Sequence, residues 1–381
     1  MSQQAVGGES PVAGLPMHST LAGARWPVFP ARGGEAMLAM IWQLERTERL
    51  SPARLLALQM VQAREVVRHA ALSVPFYREL WREAGCGPAP DGGGTRFDPA
   101  RDALTPSRFA QLPVVTRAML QQAGERAFSP TLPADHGRVL SGETSGTTAP
   151  PLAFRASELM QFMWRAFTLR DHLWHRRDLR GKLAAIRRLP MASVQETNWG
   201  LATAELCVTG PAVGLHIDHD VQTQARWLIE QAPASLISHP SNLLALARWF
   251  EQTGERPPAL ADLRSVAEGV TAEQRDVCQR VFGVPLVDSY STKALGYLAL
   301  QCPRHPHYHV QSEGVLLELL DEHGQPVPAG ATGRVVVTSL HNFAMPFVRY
   351  DTGDRATAGG ACDCGRTLPV LAHIEGRARP G

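Results

Sequence analysis

A loop of small and hydroxylated residues lies near the middle of the chain. Its sequence, TSGTTAPP, runs from Thr144 to Pro151. Small residues let backbone N–H groups approach a ligand closely, and hydroxyl groups can donate hydrogen bonds to anionic oxygens. A Walker-type P-loop needs G-x-x-x-x-G-K-[ST], with a lysine for the β- and γ-phosphates. No lysine follows here. The loop is therefore predicted to hold phosphate without being a Walker loop.

Cysteine and histidine residues form two groups about sixty residues apart, CPRHPHYH (302–309) and CDC (362–364). Each group adjoins strand-like sequence, so the two can meet on one edge of a sheet. Three cysteines and a histidine are ligands suited to tetrahedral zinc, and four protein ligands predict a structural rather than a catalytic metal. Spacing alone favours Cys302 together with His305. The alternative is a Cys-x-Cys turn beside a histidine-rich surface loop.

Length and composition exclude several classes of protein. The chain has 381 residues, 44% of them apolar, and a net charge of +2 with only 19% charged residues. Such a small net charge produces no overall positive electrostatic field that would attract nucleic acid. The sequence has no apolar stretch of 18 or more residues and no basic-then-apolar leader at its N-terminus. These features predict a soluble cytoplasmic protein that binds neither membrane nor nucleic acid. Six cysteines are too few for a disulfide scaffold of this size.

The predicted secondary structure that must position these residues differs between parts of the chain. Residues 1–35 are rich in Gly, Pro and Ala and are expected to be poorly ordered. Helix and strand patterns then alternate, which predicts α/β layering with largely parallel strands. AELCVTG (204–210) and GLHID (214–218) are two of the strand candidates. The predicted organisation is one domain over 36–377, with an α/β part over 36–296 and a β-rich lobe with the zinc site over 297–377.

Several motifs occur in a fixed order along this domain: FAQLPVVTRAML, TSGTTAPPL, VFGVPLVDSYSTKALGYLALQCP, GVLLELLD, GRVVVTSL, MPFVRYDTGD, CDCGRTLP and IEGR. This set, from about Leu58 to Arg377, resembles the phenylacetate–CoA ligase branch of the adenylate-forming superfamily, which includes acyl-CoA synthetases, peptide-synthetase adenylation domains and luciferases. The resemblance implies layered mixed sheets with flanking helices plus a smaller β-barrel-like lobe, as in the large N-terminal domain of those enzymes. Residues 378–381 would be a hinge remnant, with the family's C-terminal domain absent.

The resemblance also implies roles for individual residues. The phosphates of ATP would be wrapped by Thr144, Ser145, Gly146, Thr147 and Thr148. The adenine would be flanked by Asp288, Ser289, Tyr290 and Ser291, and the ribose would be bound by Asp354 and Arg377. The acyl pocket would involve His239, Pro240, Ser241 and Gly296. Thr148 would serve catalysis, and Lys293, in a turn where the sequence departs from the family pattern, would neutralise phosphate oxygens. For the zinc site the resemblance favours Cys302, His309, Cys362 and Cys364, with His305 as the substitute histidine.

The implied reaction is attack of a carboxylate on the α-phosphorus of ATP, giving an acyl-adenylate and pyrophosphate. A thiol then attacks the mixed anhydride, giving a thioester and AMP. The acid would be an aryl or other carboxylic acid, and the acceptor CoA or a carrier thiol, on a carrier protein in the second case. ATP or AMP, Mg²⁺ and structural Zn²⁺ are the expected cofactors, and a homodimer is left open. The family's Mg²⁺-orienting Glu is replaced by Ala294, beside Lys293. The alternatives are a degenerate member that binds nucleotide or acyl-adenylate without efficient turnover, and an unrelated NTPase.

Overall fold

The computed structural model describes residues 17, 27, 28, 30, 33–87, 97–144 and 151–377. Its helices are α1 Gly34–Thr47, α2 Pro52–Ser73, α3 Pro75–Glu83, α4 Pro106–Phe109, α5 Arg117–Ala123, α6 Glu158–Trp174, α7 Leu201–Ala204, α8 Val221–Gln231, α9 Pro240–Thr253 and α10 Ala272–Phe282. Its strands are β1 Val139–Glu143, β2 Ala153–Ser157, β3 Leu183–Arg187, β4 Ser193–Glu196, β5 Ala212–His216, β6 Ser235–Ser238, β7 Asp262–Ser265, β8 Leu286–Val287, β9 Ser289–Thr292, β10 Gly296–Gln301, β11 Tyr308–Val310, β12 Val315–Leu320, β13 Thr332–Ser339, β14 Tyr350–Ala358 and β15 Val370–Arg377.

The chain divides into two compact units. The first unit comprises Met1–Glu45 and Arg165–Asp288, and the second comprises Arg46–Trp164 and Ser289–Gly381. The helices α1 and α6 have residues in both. The predicted segments 1–35 and 378–381 fall almost entirely outside the described residues. The sequence-based division at residue 296 stays a prediction.

The first unit is built on a six-stranded sheet with the order β4-β5-β3-β6-β7-β8. Strands β5, β3, β6, β7 and β8 are parallel, and β4 pairs antiparallel with β5 at one edge. In chain order the parallel strands are arranged 2-1-3-4-5, the flavodoxin-like order, so the winding direction reverses between β3 and β6. Its apolar core includes Ile186, Leu236, Leu246 and Phe250.

One strand prediction in this unit is wrong. The first residue of AELCVTG, Ala204, is the last residue of α7, and residues 205–210 form no strand. Leu206 and Cys207 are both buried although they are adjacent. A strand would place neighbouring side chains on opposite faces, so this burial pattern does not fit the alternation of a half-buried strand. Cys207 makes only an isolated bridge to Met17.

The second unit contains a seven-stranded antiparallel sheet with the order β12-β13-β14-β15-β11-β10-β9 and a separate β1–β2 hairpin. Its core includes Val66, Tyr77, Trp81 and Phe347. Strands β14 and β9 are four places apart, about 19 Å in a flat sheet. Their side chains nevertheless touch, because Tyr290 Oη on β9 lies 2.6 Å from an oxygen of Asp354 on β14. The sheet is therefore strongly curled.

Local sequence signals set several helix starts. Thr116 and Thr271 cap α5 and α10, each accepting a hydrogen bond from a backbone N–H of the first turn. Proline begins α2, α3 and α9, where its missing N–H costs nothing. No helix within the described ranges is both long and apolar enough to cross a membrane. The predicted fold class, layered mixed α/β with flanking helices, is confirmed.

Candidate functional site

The phosphate-loop motif is held by the β1–β2 hairpin. The last ladder pair joins Glu143 to Ala153, and the Thr144 N–H then donates to the Leu152 carbonyl at 3.0 Å. The Thr144 hydroxyl accepts from the Leu152 N–H and from Arg117 Nη2, each at 3.0 Å. These bonds close the neck of the loop. The remaining predicted phosphate ligands, Ser145, Gly146, Thr147 and Thr148, lie outside the described residues.

Two residues predicted to bind adenosine are in direct contact. The Tyr290 hydroxyl donates to Asp354 Oδ2 at 2.6 Å. The Thr352 hydroxyl accepts from the Asp354 N–H at 3.1 Å and donates to a carbonyl of β13. Arg377 is the backbone partner of Asp354 in the β14–β15 ladder. Three separate motifs therefore meet at one place in the second unit.

The other predicted adenine residues lie on either side of the division along the chain between Asp288 and Ser289. Asp288, the last residue of the first unit, is buried, and one of its carboxylate oxygens accepts from the Ser265 hydroxyl at 2.5 Å. Ser289 and Ser291, in the second unit, are half-buried on β9, paired with Leu300 and Tyr297 of β10. Asp288 is thus tied to its own sheet at the end of β8.

The turn that departs from the family pattern is the β9–β10 hairpin. Lys293 is exposed at its tip and has no side-chain partner among the described residues. Ala294 is only 5% exposed and packs into the apolar core of the second unit. Gly296 has φ of +82°, a backbone conformation that favours glycine, and its Cα faces Trp164, the side chain that a Cβ would meet at 3.7 Å. The side chain of a glutamate at position 294 would have its first carbon atoms inside this apolar core.

The residues predicted for the acyl pocket stand at the start of α9 in the first unit. His239 is the residue before the helix, and its own side chain makes no capping hydrogen bond. Glu268 supplies the cap instead: one of its oxygens accepts from the Ser241 N–H at 3.2 Å, and the other from the Ser241 hydroxyl at 3.1 Å. Pro240 is buried in the first turn. His239 Nδ1 lies 3.3 Å from Glu268 Oε1.

The predicted metal ligands are brought together in the second unit. The ligand atoms of Cys302, His309, Cys362 and Cys364 all lie within 4.8 Å of one another. Sγ of Cys302 and Sγ of Cys362 are 3.9 Å apart, and Sγ of Cys364 is 3.4 Å from His309 Nε2. Zinc bonds of about 2.3 Å to sulfur and about 2.0 Å to nitrogen place tetrahedral ligand atoms about 3.5–3.8 Å apart. The separations of 3.9 Å and 3.4 Å are close to these values, and all four atoms lie near enough together for one metal ion.

The surroundings of these four side chains also suit a cation. His309 is fully buried, and its Nδ1 faces the Leu368 carbonyl at 3.5 Å, which leaves Nε2 for a metal. Burial raises the pKa of the Cys302 thiol, and it raises that of Cys362 to about 12. Burial would raise the pKa of Cys364 as well, but the backbone N–H and guanidinium of Arg366 hold it below its ordinary value. A bound cation would favour all three thiolates.

The substitute ligand His305 lies in a different arrangement. Its Nε2 is 2.5 Å from Asp363 Oδ1, and its ring stacks on that of His307 with centroids 5.0 Å apart. His305, Asp363 and Cys362 form a second group that is more exposed than the first. Spacing along the chain could not separate the two histidines, because only the pairing of β10, β11 and β15 decides which ring faces the sulfurs.

Two residues of these sites were missed from the sequence. Glu268 follows β7, and only the parallel pairing of β6 with β7 brings it to the start of α9. Arg117 opens α5, and its contact with Thr144 is also tertiary. The signal that could have found Glu268 is its place just beyond the carboxyl end of a parallel strand, where α/β sheets carry their ligand-binding residues.

No protein-family model matches the chain. Its sequence is 27% identical over 353 residues to a phenylacetate-coenzyme A ligase of Thermus thermophilus, covering 89% of this chain and 73% of that protein. It is 25% identical to a phenylacetate-coenzyme A ligase of Aromatoleum evansii, and the match covers 88% of this chain and 73% of that protein. The resemblance to phenylacetate–CoA ligases is confirmed. The fold of this phenylacetate–CoA ligase-like chain matches that of 2-hydroxyisobutyryl-CoA ligase, solved with 2-HIB-AMP and CoA, with a TM-score of 0.68 at 21% identity over 87% of this chain and 77% of that one.

Proposed function

We propose that this chain is an adenylate-forming ligase core that activates a carboxylic acid with ATP and passes the acyl group to CoA. The observation that carries the proposal is the Tyr290–Asp354 contact, with Arg377 opposite Asp354 in the ladder. Arg377 reaches Asp354 through direct pairing of β14 with β15, whereas Tyr290 reaches it only because the sheet is curled. The curated relatives with which the chain shares most of its length are named as ligases of the same class.

In this proposal Asp354 accepts hydrogen bonds from the ribose hydroxyls. Tyr290 holds one oxygen of that carboxylate and so fixes its plane. Lys293, exposed on its hairpin, neutralises phosphate oxygens as a point charge. Positioning and charge neutralisation are what phosphoryl chemistry requires of the protein. Mg²⁺, when bound, would add charge neutralisation at the phosphates.

A structural zinc completes the proposal. Its ligands are Cys302, His309, Cys362 and Cys364, whose spacing and burial fit a closed four-coordinate site. With no position left for a substrate, the metal would fix the ends of β10 and β11 against the turn between β14 and β15. His305, which faces Asp363, is not a ligand in this assignment.

The decisive test is acid-dependent exchange of pyrophosphate into ATP, run with a panel of aryl and aliphatic acids. Nucleotide affinity is measured in parallel by calorimetry. Asp354→Asn should weaken AMP and ATP binding by about 1.5–3 kcal/mol, because a charge-assisted acceptor is lost. Glu322→Gln, which changes an exposed acid on a turn of the same unit, is the control and should bind normally. Equal affinity of the Asp354 variant and the wild type would remove this residue from the nucleotide site.

The exchange assay also decides the alternative of a degenerate, non-catalytic binder. Nucleotide binding without exchange for any acid would favour it over the ligase. No observation in the structure or in the comparisons favours it now. Release of CoA thioester, followed with the same acids, tests the second half of the reaction and separates CoA from a carrier-bound thiol.

A further inference from the structure

The carboxyl edge of the parallel sheet in the first unit carries a histidine, His239, that contacts a carboxylate. His239 follows β6 at the point where the winding of the sheet reverses between β3 and β6. Ligands of open α/β sheets bind at such a reversal, outside the carboxyl ends of the strands. Ile186 and Ser238 are register partners there, and the Ser238 hydroxyl donates to the Ile186 carbonyl at 2.7 Å. The two strand ends are thus tied beside His239.

The Glu268 carboxylate contacts the His239 ring from one side. Its carboxylate is 3.3 Å from His239 Nδ1 and also accepts two hydrogen bonds from Ser241. Ala267, the residue before it, has φ of +68°, which is uncommon for a residue with a side chain. Such backbone strain persists where the surrounding structure requires it. Here it turns the chain so that Glu268 reaches the start of α9.

This contact selects one form of the imidazole. A carboxylate accepts hydrogen bonds, so the nitrogen that faces it must carry the proton. In the neutral ring the other nitrogen is then an acceptor. Within the described part of the chain, Nε2 of His239 has no hydrogen-bond partner, and the ring is half-buried. In its neutral form His239 therefore offers an acceptor at the carboxyl edge of the sheet.

The polar side chains next to His239 form hydrogen bonds with neighbouring groups of the protein. The Asn242 side-chain amide donates to Gln224 at 2.8 Å and to the Ser238 hydroxyl at 3.1 Å. The Gln224 amide donates to the carbonyls of Ile217 and His219. These bonds form a rigid support behind His239. They leave its Nε2 as the group that can still distinguish one ligand from another.

We infer that Glu268 is a positioning residue that fixes the His239 tautomer, and that Nε2 of His239 selects acids carrying a hydrogen-bond donor, a hydroxyl or amino group, on the acyl chain. The inference rests on the proposed function, because it takes the acyl group to lie at this edge. An acid without the donor would desolvate Nε2 and leave it unpaired. A site that pairs with a substrate hydroxyl discriminates against the analogue that lacks it.

The test measures binding, so that it does not depend on turnover. The probes are acyl sulfamoyl adenosines that mimic the acyl-adenylate. One set carries phenylacetyl and its 2-, 3- and 4-hydroxy derivatives, and the other carries propanoyl and 2-hydroxypropanoyl. At least one hydroxylated probe should bind about tenfold more tightly than its parent, as expected for one hydrogen bond to an otherwise unpaired group.

Two substitutions at His239 isolate the ring nitrogens. In His239→Gln the side-chain amide occupies the place of Nε2, so the preference for the hydroxylated probe should be retained in large part. In His239→Asn the amide occupies the place of Nδ1 and nothing replaces Nε2, so the preference should disappear. Glu268→Gln keeps an acceptor for Ser241 but releases the tautomer, and it should reduce the preference several-fold. Gln252→Ala, at an exposed position in the last turn of α9, is the control and should keep it.

A merely structural role for Glu268 and His239 would change the melting temperature, or the affinity for parent and hydroxylated probes equally. The inference is overturned if no hydroxylated probe binds more tightly than its parent, or if His239→Asn keeps the preference. Tight binding of the parent probes with no discrimination would leave the proposed ligase function standing. Failure of every probe to bind would overturn the proposed function together with the inference.

Discussion

Replacement of Cys364 by serine tests the metal cluster most directly. Sγ of Cys364 is 3.4 Å from His309 Nε2, and it is the cysteine whose pKa is held below its ordinary value. A serine hydroxyl is a far poorer zinc ligand than a thiolate. Wild-type protein purified with zinc available should contain about one zinc per chain, and Cys364→Ser should contain much less.

The expected loss of stability follows from the chain that the metal closes. Cys302 and Cys362 are 60 residues apart. A cross-link between them raises the free energy of the unfolded chain by about 4 kcal/mol, because it removes conformational entropy. Part of that loop is already tied by pairing of β11 with β15, and zinc also binds cysteines in unfolded chains. We therefore expect Cys364→Ser to lower the free energy of unfolding by about 2–4 kcal/mol. The melting temperature of a unit of this size should fall by about 5–10 °C.

The assay combines metal analysis, a thiol titration and calorimetric unfolding on the same samples. The thiol titration excludes a disulfide between Cys302 and Cys362 as the source of stability. His305→Ala is the matched control, because that ring faces Asp363, and it should keep both zinc and melting temperature. Zinc-free wild type with unchanged stability, or Cys364→Ser with full zinc content, would refute the assignment. If His305→Ala loses zinc, His305 and not His309 is the histidine ligand.

Three further predictions concern charge. Lys293→Ala should weaken ATP binding more than adenosine binding, since the exposed ammonium acts on phosphate; calorimetry with both ligands decides. Burial, with a smaller contribution from the charge of His136, lowers the pKa of His341 to about 4. Unfolding should therefore become easier as the pH falls from about 6.5 towards 4, and His341→Gln should remove roughly 2–3 kcal/mol of that loss in urea titrations. Arg349 is buried with Glu318 at 2.9 Å and also donates to the carbonyls of Ala110 and Leu112. Arg349→Met should therefore cost about 3–5 kcal/mol in urea titrations, and adding Glu318→Leu should recover only part of it, because the two carbonyls stay unpaired.

Much of the fold followed from local signals. Alternating helix and strand patterns predicted the parallel layer, and local caps at Thr116 and Thr271 mark where α5 and α10 begin. These signals are readable because capping and periodicity act within a few residues. The strand predicted over 204–210 is absent. Tertiary packing buries both Leu206 and Cys207, and such packing outweighs the preference of a short apolar pattern for a strand.

The sequence by itself determined which residue types are available: the small-residue loop before β2, the three cysteines and the histidines near them, and the order of the motifs. Chemical type and spacing are properties of the chain. Tertiary structure decided which of these residues meet. Only the curl of the seven-stranded sheet joins Tyr290 to Asp354, and only the pairing of β6 with β7 brings Glu268 to His239. Contacts between residues far apart in sequence depend on strand order and sheet curvature, which no local pattern specifies.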